Sequence, residues 1–574
     1  MGLRKLWVII VCGIWLVGCD IGSGANNTRP NQNNTSLYGQ LQGTPESGPQ
    51  LAITDLQAWI AGNEGGVCNG TESSGVGSLN CIKDQKYINS QPTVFGLSGG
   101  VKVTNFVANN PLHILNVDTY KLIYNTPGVP YFTAGNAILN ETVSGSLLVP
   151  DNIAESEIKG VVLFFHPTVF SKSQVPSNFS ESMGIAQDKT LAAVYASQGY
   201  MVVIPDYIGL GVDTAVVHPY VAFPQTNAQS GIYMLKATHQ FLQQHGITRN
   251  FPLYITSYSE GGAYAAWASK LAQGTLASVL SDSNITLTRT VGVSGAYDLS
   301  GVMLPFAFTN INNSWDSTAN PYNVSPGYFE SSPFFALQSS DAALVMEAAK
   351  VPLAGYLMAA FAYYNGTPNT LAQFVAPSFV SMQSCLLLGD YFRGESTPST
   401  CLINGQNYTL PELFSSDNPS LNNGNISDQL VGSAIGATNY ITGGEPSVDV
   451  LVAKMLKGYR NNSIASFVSP TIQTSSLIIP FVIQQNIYNW TTNSPLSLIY
   501  LRYDSVVPNV NSKEACGQVS GVPSVFANSA SGMVTCQEVD NTNLVTGGLV
   551  PIFMDHTHAE AVLQIAALHQ ISAN

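Results

Sequence analysis

Short apolar runs alternate with amphipathic stretches along much of the chain, and each kind predicts a different element. Residues 160–167 (GVVLFFHP) and 200–206 (YMVVIPD) are almost unbroken apolar runs. Runs of this length suit strands buried on both faces of a largely parallel sheet. Residues 251–257, 289–299, 494–504 and 549–554 extend the set, and 119–132 and 143–149 read as earlier strands with turns between them. Residues 189–199 are helical in composition and end at a glycine. Residues 227–245 carry Tyr233, Ala237 and Phe241 at helical spacing, with Gly246 as the C-terminal stop. Residues 260–272 and 559–571 predict two more helices.

Alternating buried strands and helices predict an α/β fold with right-handed crossovers. The alternation stops near residue 300 and resumes near 481. Residues 301–480 are helix-leaning and loop-rich, with Pro, Asn and aromatic clusters. We therefore expect one α/β core in two parts, 119–300 and 481–574, with 301–480 as a large insertion and no fixed-period repeat.

The N-terminus changes the picture. Arg4 and Lys5 precede an apolar run over 6–17 that is too short to span a bilayer comfortably. Residues 1–18 are expected to be a signal peptide. Leu16-Val17-Gly18-Cys19 resembles a bacterial lipobox, which implies cleavage before Cys19 and lipid on its sulfur and new amino group. Residues 19–50 have almost no aliphatic side chains, so they predict a disordered tether. Residues 51–118 form an N-terminal extension to which the sequence gives no role.

Only 10% of residues are charged and the net charge is −14. This excludes a nucleic-acid partner and a basic membrane-binding face. Membrane contact is expected through the lipid anchor alone, on a periplasmic face or a cell surface. Setting aside Cys12 in the signal and Cys19, the cysteines fall as three local pairs: Cys68 and Cys81, Cys385 and Cys401, Cys516 and Cys536. In an exported protein these are disulfide candidates, with neighbour pairing one of roughly 15 connectivities. No spacing suggests a metal site, and no cofactor is expected.

The candidate chemistry centres on TSYSEGG, residues 256–262. A strand, a sharp turn and a helix around Ser259 are the setting of a nucleophile elbow, although Ser257 stands where the usual pattern has glycine. The Glu260 N–H, opening the helix, would point at a developing oxyanion. A serine hydroxyl needs a histidine base, and the base needs a carboxylate to fix its tautomer. Asp504 ends the first strand after the insertion, and His556 follows the last strand, in the order this topology demands. His558 is the alternative base, and Asp555 a weaker candidate for orienting it. A second oxyanion donor is expected after the strand ending at His166. Pro167 has no N–H, which leaves Thr168 or the residue after it. His166, Asp206, Tyr207 and His218 are expected to shape the site's edge.

Taken together, VSGSLLVP, KGVVLFFHPTVFSKSQVPS, MVVIPDYIGLGVDTAVVHPYV, YITSYSEGGAYAAWA and NIYNWTTNSPLSLIYLRYDSVVPNVNS resemble the secretory-lipase-type α/β-hydrolases. The likeness covers roughly 119–300 and 480–572. It is weaker over 300–470, where VPLAGYLMAAFAYYNGT is similar to that family's helical cap. The resemblance implies an α/β-hydrolase fold with a cap inserted before the strand that carries the acid. It also implies Ser259 as nucleophile, Asp504 as acid, His556 as base, and hydrolysis of small-molecule or lipid esters. Ser257 and Pro167 depart from the family pattern. Peptide or amide hydrolysis on the same scaffold, and a non-catalytic binding module, are the alternatives.

Overall fold

A computed structural model describes residues 35–51, 115–130, 138–169, 175–179, 192–213, 216–303, 483–502, 504, 506–539 and 556–572, with pieces at 357, 360, 364, 401–403 and 406–408. The expected signal peptide, Cys19, Cys68, Cys81, Cys385, Asp555, most of the 51–118 extension and most of the 301–480 insertion lie outside these residues. So does the expected strand 549–554.

The strands, in chain order, are β1 (Glu46–Ser47), β2 (Val117–Pro127), β3 (Asn140–Pro150), β4 (Gly160–Phe165), β5 (Tyr200–Pro205), β6 (Phe251–Ser257) and β7 (Ile285–Val293). They continue with β8 (Cys401–Ile403), β9 (Gln406–Tyr408), β10 (Leu496–Leu501) and β11 (Val534–Val539). β8 and β9 form a separate hairpin. Among the described residues, the others make one nine-stranded sheet in the order β1-β2-β3-β5-β4-β6-β7-β10-β11. Pairing is antiparallel from β1 to β5 and parallel from β5 through β4 to β11.

The two-faced burial that the apolar runs predict is present. In β4, Val161, Leu163 and Phe165 pack into one core with α1 (Pro224–Gln244) and α2 (Glu260–Ala272). Val162 and Phe164 pack into a second core with residues 192–196 and the closing helix, whose Ala559, Leu563 and Ala566 are fully buried. Successive strand side chains point to opposite faces, so six consecutive apolar residues serve both cores. α1 begins with Pro224 at its first position, where a missing N–H costs nothing, and Gly246 follows its end at φ +79°.

One expectation is corrected, and one strand was not expected. Residues 35–50, expected within a disordered tether, lie ordered along the edge of the core. Tyr38 is buried against Tyr233, the Gly39 N–H donates to Asn125 O at 2.8 Å, and β1 pairs with β2. One aromatic anchor and an edge strand's backbone hydrogen bonds order a stretch whose composition is otherwise polar. The core thus begins at residue 35 rather than at 119. Second, β11 was not foreseen in sequence. Only Val534 and Val539 at its ends are buried, so it lacks an apolar run, and Glu538 is paired with Arg502 and Lys513. A disulfide joins Cys516 to Cys536 on this strand. This is the neighbour pairing considered for the third local pair.

Candidate active site

Ser259 stands between β6 and α2 at φ +54°, ψ −117°. A non-glycine residue there stores roughly 1–3 kcal/mol of strain, which persists only where neighbours over-determine it. They do so here. The Ser259 N–H donates to Val293 O at 3.0 Å, the Tyr258 N–H to Phe165 O at 3.1 Å, and the Gly262 N–H to Ser259 O at 2.8 Å. The two glycines that follow have a steric reason. A Cβ on Gly261 would lie 2.2 Å from Phe165 O, and one on Gly262 would lie 2.3 Å from Gly295 Cα. α2 can therefore start hard against the strand ends, lifting the serine clear of the sheet.

The three residues expected in sequence converge. His556 Nε2 is 2.7 Å from Ser259 Oγ, and its Nδ1 is 2.9 Å from Asp504 Oδ2. Asp504 Oδ1 accepts the N–H groups of Val506 at 2.9 Å and Val507 at 2.7 Å, which fixes the carboxylate. All three are buried: Ser259 is 7% exposed, His556 5% and Asp504 2%. His556 opens the closing helix, labelled α3 here (His556–Ser572), and its ring lies 5.0 Å from that of Tyr258. The Tyr258 hydroxyl donates to the His556 carbonyl. About two turns on, Gln564 donates to Ser257 O at 2.8 Å and so ties α3 to the last residue of β6. The side chain of His558 lies outside the described residues.

Residues 173–285 match the model of a family described as secretory lipase. An esterase of Xanthomonas oryzae that degrades rice cell walls, LipA, superposes with a TM-score of 0.52 at 17% identity, covering 93% of this chain and 99% of its own. A candidate hydrolase of Legionella pneumophila superposes with a TM-score of 0.52 at 16% identity, over 93% and 98% of the two chains. No curated protein matches in sequence. The chain has the fold of these hydrolases, and a stretch of it matches the secretory-lipase model.

Both departures from the pattern of these α/β-hydrolases can be traced. Ser257 ends β6, and its buried hydroxyl lies 3.4 Å from the Val293 N–H. Its position is an ordinary strand position, so it does not need glycine's freedom. After β4, the loop over 166–168 is held from both sides. Tyr207 Oη donates to His166 O at 2.7 Å, and His166 Nδ1 lies 2.7 Å from Pro167 O. Thr168 is partly exposed, and its hydroxyl is 3.4 Å from that of Tyr220. Burial pulls the His166 imidazole down to about 4, so at neutral pH it carries no charge.

The expected edge residues divide by task. Asp206 is fully buried, and its carboxylate accepts the Ser144 and Ser177 hydroxyls and the Ser177 N–H at 3.0 Å, which pins 175–179 to the sheet. Burial raises its pKa. Tyr207, at φ +77°, stacks on His166 with ring centroids 4.1 Å apart. His218 reaches Glu260, a contact the sequence did not announce. From the insertion, Leu357, Ala360 and Tyr364 are buried at helical spacing, and the Tyr364 hydroxyl donates to Val217 O. Among the described residues, no His, Cys, Asp or Glu group is placed to hold a metal ion.

Proposed function

We propose that this protein is a serine carboxylic-ester hydrolase working through an acyl-serine intermediate. The observation that carries the reading is the unbroken chain Ser259 Oγ, His556 Nε2, His556 Nδ1, Asp504 Oδ2, at 2.7 and 2.9 Å. His556 takes the Ser259 proton as Oγ bonds to the substrate carbonyl carbon. The carbonyl π pair moves onto oxygen, where the N–H groups of Glu260 and Thr168 are suited to receive it. Collapse breaks the ester C–O bond, and His556 delivers its proton to the departing alcohol. A water then repeats the sequence on the acyl-serine and releases the acid. Asp504 keeps its charge throughout and holds the imidazole in one tautomer.

Ser259→Ala tests the reading. Hydrolysis of a short p-nitrophenyl ester should fall at least ~10⁴-fold with the fold intact, and fluorophosphonate labelling should vanish. Retained turnover in that variant would remove Ser259 from the mechanism. Parallel assays on aminoacyl amides distinguish an amidase. A wild-type protein that takes no fluorophosphonate label is the binding-module outcome.

We further propose that the enzyme acts outside the cytoplasm, anchored through lipid on Cys19. The basic and apolar start and the small residues before Cys19 support this. A Cys19→Ala variant should leave the membrane fraction and fail to incorporate radiolabelled palmitate. Unchanged membrane retention and labelling would overturn it.

A further inference from the structure

We propose that Glu260 and His218 form a positioning pair for the oxyanion donor. The pair fixes the peptide whose N–H meets the oxyanion and keeps the neighbouring carboxylate electrically silent. The proposal rests on the serine-hydrolase reading above.

Glu260 follows the nucleophile directly, yet its side chain is inside the protein and only 3% exposed. A bare carboxylate there would oppose negative charge growing on a substrate oxygen one residue away. The hydrogen bonds around it remove that conflict. The Ile208 N–H donates to Asn227 Oδ1 at 3.3 Å, which sets the amide's orientation. Asn227 Nδ2 then donates to Tyr264 Oη at 2.9 Å, and the Tyr264 hydroxyl donates to Glu260 Oε1. His218 Nε2 meets the same Oε1 at 2.7 Å, and His218 Nδ1 lies 2.8 Å from Ile208 O. The ring of contacts closes where it began, on the Ile208 peptide.

The hydrogen-bond partners of His218 set the charge of the pair. A carbonyl oxygen only accepts, so His218 Nδ1 carries a proton. One further proton lies between Nε2 and Oε1. Whichever atom holds it, imidazole and carboxyl together are neutral. Asn227 and Tyr264 are 0% exposed and His218 is 2% exposed, so the network is closed to bulk solvent and its members satisfy one another.

The same group reaches the other side of the site. The Tyr207 ring stacks between His218, at 5.7 Å, and His166, at 4.1 Å, while its hydroxyl holds the His166 carbonyl. The peptide that opens α2 and the loop carrying Thr168 are therefore aligned by one buried assembly. Its members come from three separate stretches: 207–208 with 218, 227, and 260 with 264.

The test uses the full-length protein: wild type, Ser259→Ala, Glu260→Gln, His218→Gln and Tyr264→Phe. Each is assayed for p-nitrophenyl acetate turnover, for thermal unfolding, and for inhibition by an alkyl trifluoromethyl ketone, which forms a tetrahedral oxyanion on the serine. A Gln at 260 cannot both accept from Tyr264 and share a proton with His218. Glu260→Gln and His218→Gln should each lower kcat roughly tenfold to a hundredfold, with KM within about twofold. Inhibitor affinity should weaken by the same factor as kcat/KM. A packing defect alone would lower Tm without that proportionality. Folded Glu260→Gln and His218→Gln variants with kcat within threefold of wild type would overturn the proposal. So would lost turnover with unchanged inhibitor affinity. If Glu260→Gln does not fold, His218→Gln and Tyr264→Phe decide by the same kcat limits, because both keep the carboxylate. If none folds, the pair is structural and the proposal is wrong. Turnover retained by Ser259→Ala defeats the underlying reading instead, so the two failures are distinguishable.

Discussion

At the residue scale, Asp504 shows how much depends on which atom faces which. Its Oδ1 is occupied by two backbone N–H groups, so only Oδ2 is presented to His556. In Asp504→Asn the amide oxygen keeps the backbone donors and the NH₂ turns toward Nδ1. The imidazole must then accept there and carry its proton on Nε2, facing the serine it should deprotonate. We expect kcat on p-nitrophenyl acetate to fall about 10⁴-fold with Tm little changed; a loss under tenfold would dismiss Asp504 from this role. Ser259, Asp504 and His556 were legible in sequence because each follows a run that reads as a strand, and chain order alone singles out the three that converge. The Glu260–His218 contact was not. It joins residues 42 apart in sequence through a buried loop, and no periodicity links the two ends. The Glu in S-x-S-E-G reads as an exposed helix-start acid until the packing of 216–223 over it is known.

At the scale of elements, the site depends on a close approach. α2 lies so near β6 and β7 that Gly262 touches Gly295 backbone to backbone. A methyl at 262 would meet Gly295 Cα at 2.3 Å, and a backbone atom cannot rotate aside. Gly262→Ala must therefore push the start of α2 away from β7 and carry the elbow with it. The expected cost is about 1–3 kcal/mol of stability, together with a fall in kcat out of proportion to the change in Tm. Thermal unfolding combined with ester kinetics checks this, and an unperturbed variant would show that the approach is looser than described. The buried central strands were visible as apolar runs, because burial on both faces leaves no polar positions. β11 was hidden because an edge strand needs few apolar residues. The strap over 35–51 was hidden because its order comes from β2 and Tyr233 rather than from its own composition.

For the whole molecule, the stacked core under the active site carries a dependence on pH. His166 is 0% exposed, with its pKa lowered to about 4, chiefly by burial, against 6.5 for a free imidazole. Between those values the unfolded chain binds a proton that the folded protein refuses, so stability rises with pH across the window and is lost as pH falls through it. The difference corresponds to on the order of 3 kcal/mol at this one position. Asp206 works in the opposite sense. Its raised pKa lets the folded protein hold a proton that the unfolded chain has released, which favours the fold as pH falls. His569, lowered to about 4, acts with His166. Both contributions are common to wild type and to His166→Gln, so subtracting the two unfolding curves isolates His166. Denaturant unfolding at pH 7 and pH 4 should show the wild type losing about 3 kcal/mol more than His166→Gln, even if the variant is the less stable protein at pH 7. Equal losses would mean that the folded protein opens enough near His166 to admit the proton. The stacked assembly joining Tyr207, His218 and Glu260 would then be looser than its rings and hydrogen bonds imply, and the rigidity invoked for the oxyanion donor would fail with it.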